Sequence, residues 1–81
     1  METETKIIQT IAKVFSANPA TLSASTSQHE LKKWDSLGQL RLIMQLEADF
    51  NLTFTIDEIP HLTSVTKIAE SIRSKKELIS E

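Results

Sequence analysis

One glycine and two prolines punctuate a chain of 81 residues. So few turn-forming residues leave little room for the tight reversals that connect short strands. The only stretch with strand-like alternation is Leu52-Thr53-Phe54-Thr55-Ile56, with no second run to pair with. Helices must therefore dominate. Leu, Ile, Val and Phe supply 23 of the 81 residues, a share above the roughly 20 % of disordered chains. A folded domain is expected, and the length suits a single one covering residues 1–81.

Hydrophobic periodicity divides the chain. Ile7, Ile8, Ile11, Val14 and Phe15 fall on one face of a helix predicted over about residues 3–16. Asn18-Pro19 marks its end, because the residue before proline is pushed out of the α region. Residues 17–34 show no period and are expected to form a long loop, with Leu22 and Leu31 to pin it. A second helix is predicted over about 36–50. Leu37, Leu40, Ile43, Met44 and Phe50 recur there at helical spacing, and Leu42 and Leu46 widen the stripe. Asp35 and Ser36 are both candidate caps, and Ser36-x-x-Gln39 spells a capping box; Asn51 is a plausible stop. Asp57-Glu58-Ile59-Pro60 suggests one further helical turn. Val65, Ile68, Ala69 and Ile72 mark a last helix capped by Thr63 or Ser64, and Arg73, Lys75 and Lys76 suit its C-terminal end. The expected fold is an all-α small four-helix bundle: three main helices, one short helix and a long first loop.

Composition excludes several kinds of chemistry. There is no cysteine, which removes disulfides, thiol catalysis and cysteine-based metal sites. His29 and His61 both sit in polar, loop-like contexts, so neither a catalytic triad nor a metal site is expected. A single glycine cannot build a phosphate-cradling loop. The net charge of −2 argues against nucleic-acid binding. Residues 35–58 carry five acids and one base, so one acidic face is expected, open to a basic partner. No apolar run approaches the ~20 residues of a membrane span, and the METETK start lacks a signal peptide's features. A cytoplasmic monomer with no membrane insertion is expected.

What remains is Trp34-Asp35-Ser36-Leu37, at the mouth of the second helix. From Asp35 to Phe50 the chain resembles the second helix of the acyl carrier protein family, and Leu62-Thr63-Ser64-Val65 resembles the lead into that family's last helix. The order of elements over essentially the whole chain is similar as well. The resemblance implies that Ser36 receives 4′-phosphopantetheine from coenzyme A and that acyl groups ride on its terminal thiol as thioesters. It also implies that Asp35 helps hold a metal ion during the transfer, although Asp35 reads equally as a helix cap. Leu37, Met44 and Glu47 would lie near the arm and the partner surface.

Physical chemistry supports such a position independently. A phosphodiester at a helix N-terminus meets free N–H groups and the positive end of the dipole. The implied protein is a carrier and not an enzyme. Its implied partners are a phosphopantetheinyl transferase and acyl-transfer or acyl-activating enzymes. The family's second helix is commonly acidic just after the serine, whereas this chain has Gly38 and Arg41 there. Both are assigned to the partner surface, and they point away from ordinary fatty-acid synthesis towards a dedicated pathway. Glycine in a helix costs about 0.5–1 kcal/mol relative to alanine, so Gly38 needs a reason; close approach of a partner or of the arm is one. A peptidyl carrier, or an unmodified helical adaptor for a protein partner, are the alternatives.

Overall fold

The computed structural model describes residues 2–79. Three helices form its frame: α1 (Glu2–Phe15), α2 (Ser36–Phe50) and α3 (Val65–Ile79). The connections carry three single 3-10 turns, at Pro19–Thr21, Gln28–Glu30 and Ile59–His61. The expected short helix is the last of these. The stretch 52–56 forms no strand; Phe54 is buried while Ile56 is 85 % exposed.

The helix ends follow local chemistry. α1 stops before Asn18-Pro19, at Ser16, whose φ of 54° is left-handed. The Ala17 N–H reaches back to the Ala12 carbonyl at 2.9 Å, the wider bond of a left-handed helix stop. Asn51 ends α2 in the same way, with φ 55° and ψ 55°. Ser64 caps α3, its hydroxyl accepting the Lys67 N–H at 3.2 Å. Arg73 and Lys75 do more than complement the end of α3. Arg73 bonds Glu4 of α1 at 2.5 Å, and Lys75 bonds Glu58 at 2.6 Å. The side chain of Lys76 lies outside the described residues.

Ile7, Ile11 and Phe15 of α1 meet Leu42, Ile43, Leu46 and Phe50 of α2 and Val65, Ile68, Ala69 and Ile72 of α3 in one core. Trp34, Phe54 and Leu62 close it from the connections, and Leu22 and Leu31 pack against it from the first loop. Leu37, Leu40 and Met44 are not part of it: they are 67 %, 53 % and 69 % exposed. Of the predicted stripe on α2, Leu42, Ile43, Leu46 and Phe50 face the core and the other three do not. Apolar side chains occupy both sides of this helix, so periodicity alone does not fix which side turns inward.

The first loop is tied down. The Gln28 N–H donates to the Thr63 carbonyl at 2.8 Å and the Val65 N–H to the Thr26 carbonyl at 3.0 Å. These two bonds clasp the loop to the start of α3. Thr26 is 2 % exposed, and its hydroxyl accepts the Ser23 N–H at 2.8 Å.

Candidate functional site

The start of α2 is built from below. Trp34, 1 % exposed, stacks on Phe15 with ring centroids 5.9 Å apart. Its indole Nε1–H donates to Gln39 Oε1 at 2.5 Å. The Gln39 amide nitrogen donates in turn to the carbonyls of Ile59 at 2.8 Å and Leu62 at 3.0 Å. One buried amide thus joins the end of the first loop, the first turn of α2 and the last 3-10 turn.

Asp35 is the N-cap. Its Oδ1 accepts the Gly38 N–H at 2.9 Å, and its backbone is extended, with φ −98° and ψ −164°. The capping box expected of Ser36 and Gln39 does not form. Asp35 takes the cap one residue earlier, and Gln39 turns inward to the tryptophan. Reciprocal capping occurs instead at Thr55 and Glu58. The Thr55 N–H donates to Glu58 Oε1 at 2.7 Å, and the Glu58 N–H to Thr55 Oγ1 at 3.3 Å. The Thr55-x-x-Glu58 spacing was the sequence signal for it.

Ser36 is the first residue of α2 and is exposed. Its hydroxyl forms no hydrogen bond among the described residues, and the N–H groups of Ser36 and Leu37 have no acceptor there. A nucleophilic oxygen thus stands beside two open N–H donors at the positive end of a four-turn helix. These features fit a covalently attached phosphodiester.

Gly38 is buried. A Cβ at this position would lie 2.1 Å from the Lys33 carbonyl oxygen and 2.9 Å from the Phe15 ring. The expectation that Gly38 faces a partner is therefore corrected: the close approach is internal, between α2, the end of the first loop and α1. It seats the start of α2 and with it Ser36. Leu37, Arg41 and Met44 lie on the exposed side. Glu47 is half-buried, and its Oε2 accepts the Phe54 N–H at 3.0 Å. Beside Ser36 runs a groove of about 370 Å³ between α1 and α2, lined by Phe15, Lys33, Asp35, Leu37, Gly38 and Arg41 among others.

Of the five acids in residues 35–58, Asp35 and Asp57 are exposed, while Glu47, Asp49 and Glu58 are partly buried. Asp49 accepts the Thr10 hydroxyl at 2.7 Å and the Gln45 amide at 2.9 Å, with Lys13 at 3.6 Å. Burial raises its pKa, but these partners outweigh that and hold it below the ordinary value. Glu58 is committed to Lys75, Thr55 and Ser71, and Glu47 to Phe54. Among the described residues no group of three or more His, Asp or Glu side chains is placed to hold a metal ion. No described helix is long and apolar enough to cross a membrane.

This arrangement presents an exposed serine on a braced helix end. The sequence model of the phosphopantetheine attachment site family matches residues 5–72. Among solved structures, the chain is similar to a holo acyl carrier protein from Geobacter metallireducens determined by solution NMR. The TM-score is 0.82 at 25% identity, over 100% of this chain and 95% of that one. No curated protein matches the sequence. The chain belongs to the acyl carrier protein family. It is a carrier and not an enzyme, and its prosthetic group is covalently attached 4′-phosphopantetheine.

Proposed function

We propose that Ser36 is the attachment residue and that residues 1–81 act as one carrier domain shuttling thioester-bound acyl groups between enzymes of a dedicated pathway. The observation that carries this reading is the exposed, unbonded Ser36 hydroxyl at the first position of α2, beside the open N–H groups of Ser36 and Leu37. In transfer from coenzyme A the Ser36 Oγ forms a bond to the pantetheine-side phosphorus as the P–O bond of the coenzyme's pyrophosphate breaks; adenosine 3′,5′-bisphosphate leaves and the hydroxyl proton is released. The attached arm supplies the thiol that holds the acyl group. The chain supplies the rest: Asp35 caps the helix, while Trp34, Gln39 and Gly38 hold its first turn in place.

Attachment needs a phosphopantetheinyl transferase, and cargo exchange needs acyl-transfer or acyl-activating enzymes. The preference for a dedicated pathway over general fatty-acid synthesis rests on Arg41, now without Gly38, whose reason is steric. Incubation with coenzyme A and a promiscuous transferase, followed by mass spectrometry, tests the assignment. One phosphopantetheine should be gained, on Ser36 and on none of the other Ser and Thr residues. Continued modification of Ser36→Ala would place the site elsewhere, and an unmodified wild type would favour an adaptor.

A further inference from the structure

The end of α1 and the end of the first loop enclose a further hollow of about 260 Å³, lined by Phe15, Ser16, Ala17, Leu31, Lys32 and Lys33. Phe15, Ser16 and Lys33 also line the groove beside Ser36. The two hollows adjoin along these three residues and make a trough from α2 back to the first loop. One end of it lies at Asp35 and Leu37, the chain neighbours of Ser36. Val14, Phe15, Ala17 and Leu31 give it an apolar floor. Its polar side chains are mostly uncommitted. The Ser16 hydroxyl, Lys32, Lys33 and Arg41 are exposed and form no side-chain hydrogen bond or ion pair among the described residues. The carboxylate on the trough is that of Asp35, also exposed, and its Oδ1 is committed to the Gly38 N–H. Three cations thus stand against one carboxylate. The hollow between the last connection and α3 has the opposite balance. Asp57, Glu58 and Glu70 line it with Lys67 and His61, and Lys75 pairs with Glu58.

We propose that this trough seats the chain's own phosphopantetheine arm, with Lys33 and Arg41 facing the phosphodiester and the floor holding the pantetheine against the end of α1. The inference rests on attachment at Ser36. Charge complementarity chooses the side: the phosphodiester is an anion, so the cationic trough attracts it, while the carboxylates beside α3 repel it. Pantetheine is an amphipathic strand of methyl, methylene, hydroxyl and amide groups. The apolar floor covers its carbon atoms, and the Ser16 hydroxyl is free to bond an amide. An arm seated in this way lies folded back on the protein, and an enzyme must draw it out before reaching the thiol.

The chain has no cysteine, so a nitroxide maleimide labels the arm's thiol alone. In isotope-labelled holo-protein, the nitroxide should broaden the amide signals of residues 14–17 and 31–33 more strongly than those of residues 57–71. Before labelling, the pantetheine methyl groups should show nuclear Overhauser contacts to the Phe15 ring. Lys33→Glu combined with Arg41→Glu should reduce the broadening about threefold at low salt, the scale of two exposed ion pairs, and about 0.5 M salt should weaken it in the wild type as well. Lys67→Glu on α3, a charge reversal away from the trough, should leave it unchanged. Broadening centred on residues 57–71, equal broadening on both sides, or wild-type broadening in the double variant would overturn the proposal. Mass spectrometry of the same samples separates the two readings. Phosphopantetheine on Ser36 without these contacts sinks the trough inference alone; no mass gain on Ser36 sinks the attachment reading and this inference with it.

Discussion

The indole of Trp34 and the amide of Gln39 form a buried 2.5 Å hydrogen bond that couples the last turn of the first loop to the first turn of α2. Because the same amide also serves two carbonyls of the later connection, its loss strands the indole N–H and the Leu62 carbonyl, while the Ile59 carbonyl keeps the Leu62 N–H at 3.2 Å. Gln39→Leu should cost at least about 2 kcal/mol, since each buried unsatisfied group costs roughly 1–3 kcal/mol. Urea denaturation measures this. A midpoint within error of wild type would show that the network adds nothing to stability.

Gly38→Ala should have the reverse of its usual sign. In an open helix this change stabilises by about 0.5–1 kcal/mol. Here the new methyl group meets a backbone carbonyl at 2.1 Å. The fold must shift to accept it, so we expect a loss of roughly 1–3 kcal/mol. Thermal unfolding of the variant decides the sign.

Asp35 and Ser36 should separate structure from chemistry. Asp35→Ala removes the cap and should cost about 1 kcal/mol. Ser36→Ala removes a hydroxyl that bonds nothing among the described residues and should change stability by less than about 0.5 kcal/mol, while abolishing phosphopantetheine attachment. Parallel melts and mass spectra of the two variants provide the comparison.

Ile11 and Leu46 meet in the core with no exposed surface. Truncating either to alanine should cost roughly 2–5 kcal/mol, much of the margin of about 5–15 kcal/mol typical of natural domains. An unchanged far-UV denaturation midpoint for both would refute the packing described.

Acid should weaken the fold through Glu58. Burial opposes ionisation of this carboxyl, but hydrogen bonds from Lys75, the Thr55 N–H and Ser71, with the Lys75 charge, outweigh it and lower the pKa from 4.5 to about 2. A folded-state pKa below the unfolded one contributes stability that is complete above the unfolded value. That contribution is lost as pH falls from about 4.5 towards 2. Melting temperatures recorded across this range should fall less steeply for Glu58→Gln than for wild type.

The sequence was most legible where the signal is local. The extent of α2, its stop at Asn51 and the exposure of Ser36 follow from periodicity and capping chemistry. The rotation of α2 was not legible, because Leu37, Leu40 and Met44 are as apolar as Leu42, Ile43 and Leu46. Only tertiary contacts choose between them: the Trp34–Gln39 bond and the carbonyl of Lys33 under Gly38. For the same reason Gly38 read as a partner-facing gap, when its neighbour is the protein's own backbone. A one-dimensional count of the acids in residues 35–58 does not show that Asp49 and Glu58 face lysines of α1 and α3.

The clasp between residues 26–28 and 63–65 also has a kinetic meaning. In a helical protein most contacts are local and form early, whereas these bonds wait until α3 has reached its neighbours. The first loop should thus settle after the rate-limiting step. Substitutions such as Thr26→Ala should then accelerate unfolding while leaving the refolding rate nearly untouched, so the lifetime of the surface around Ser36 is set by a seam formed late in folding.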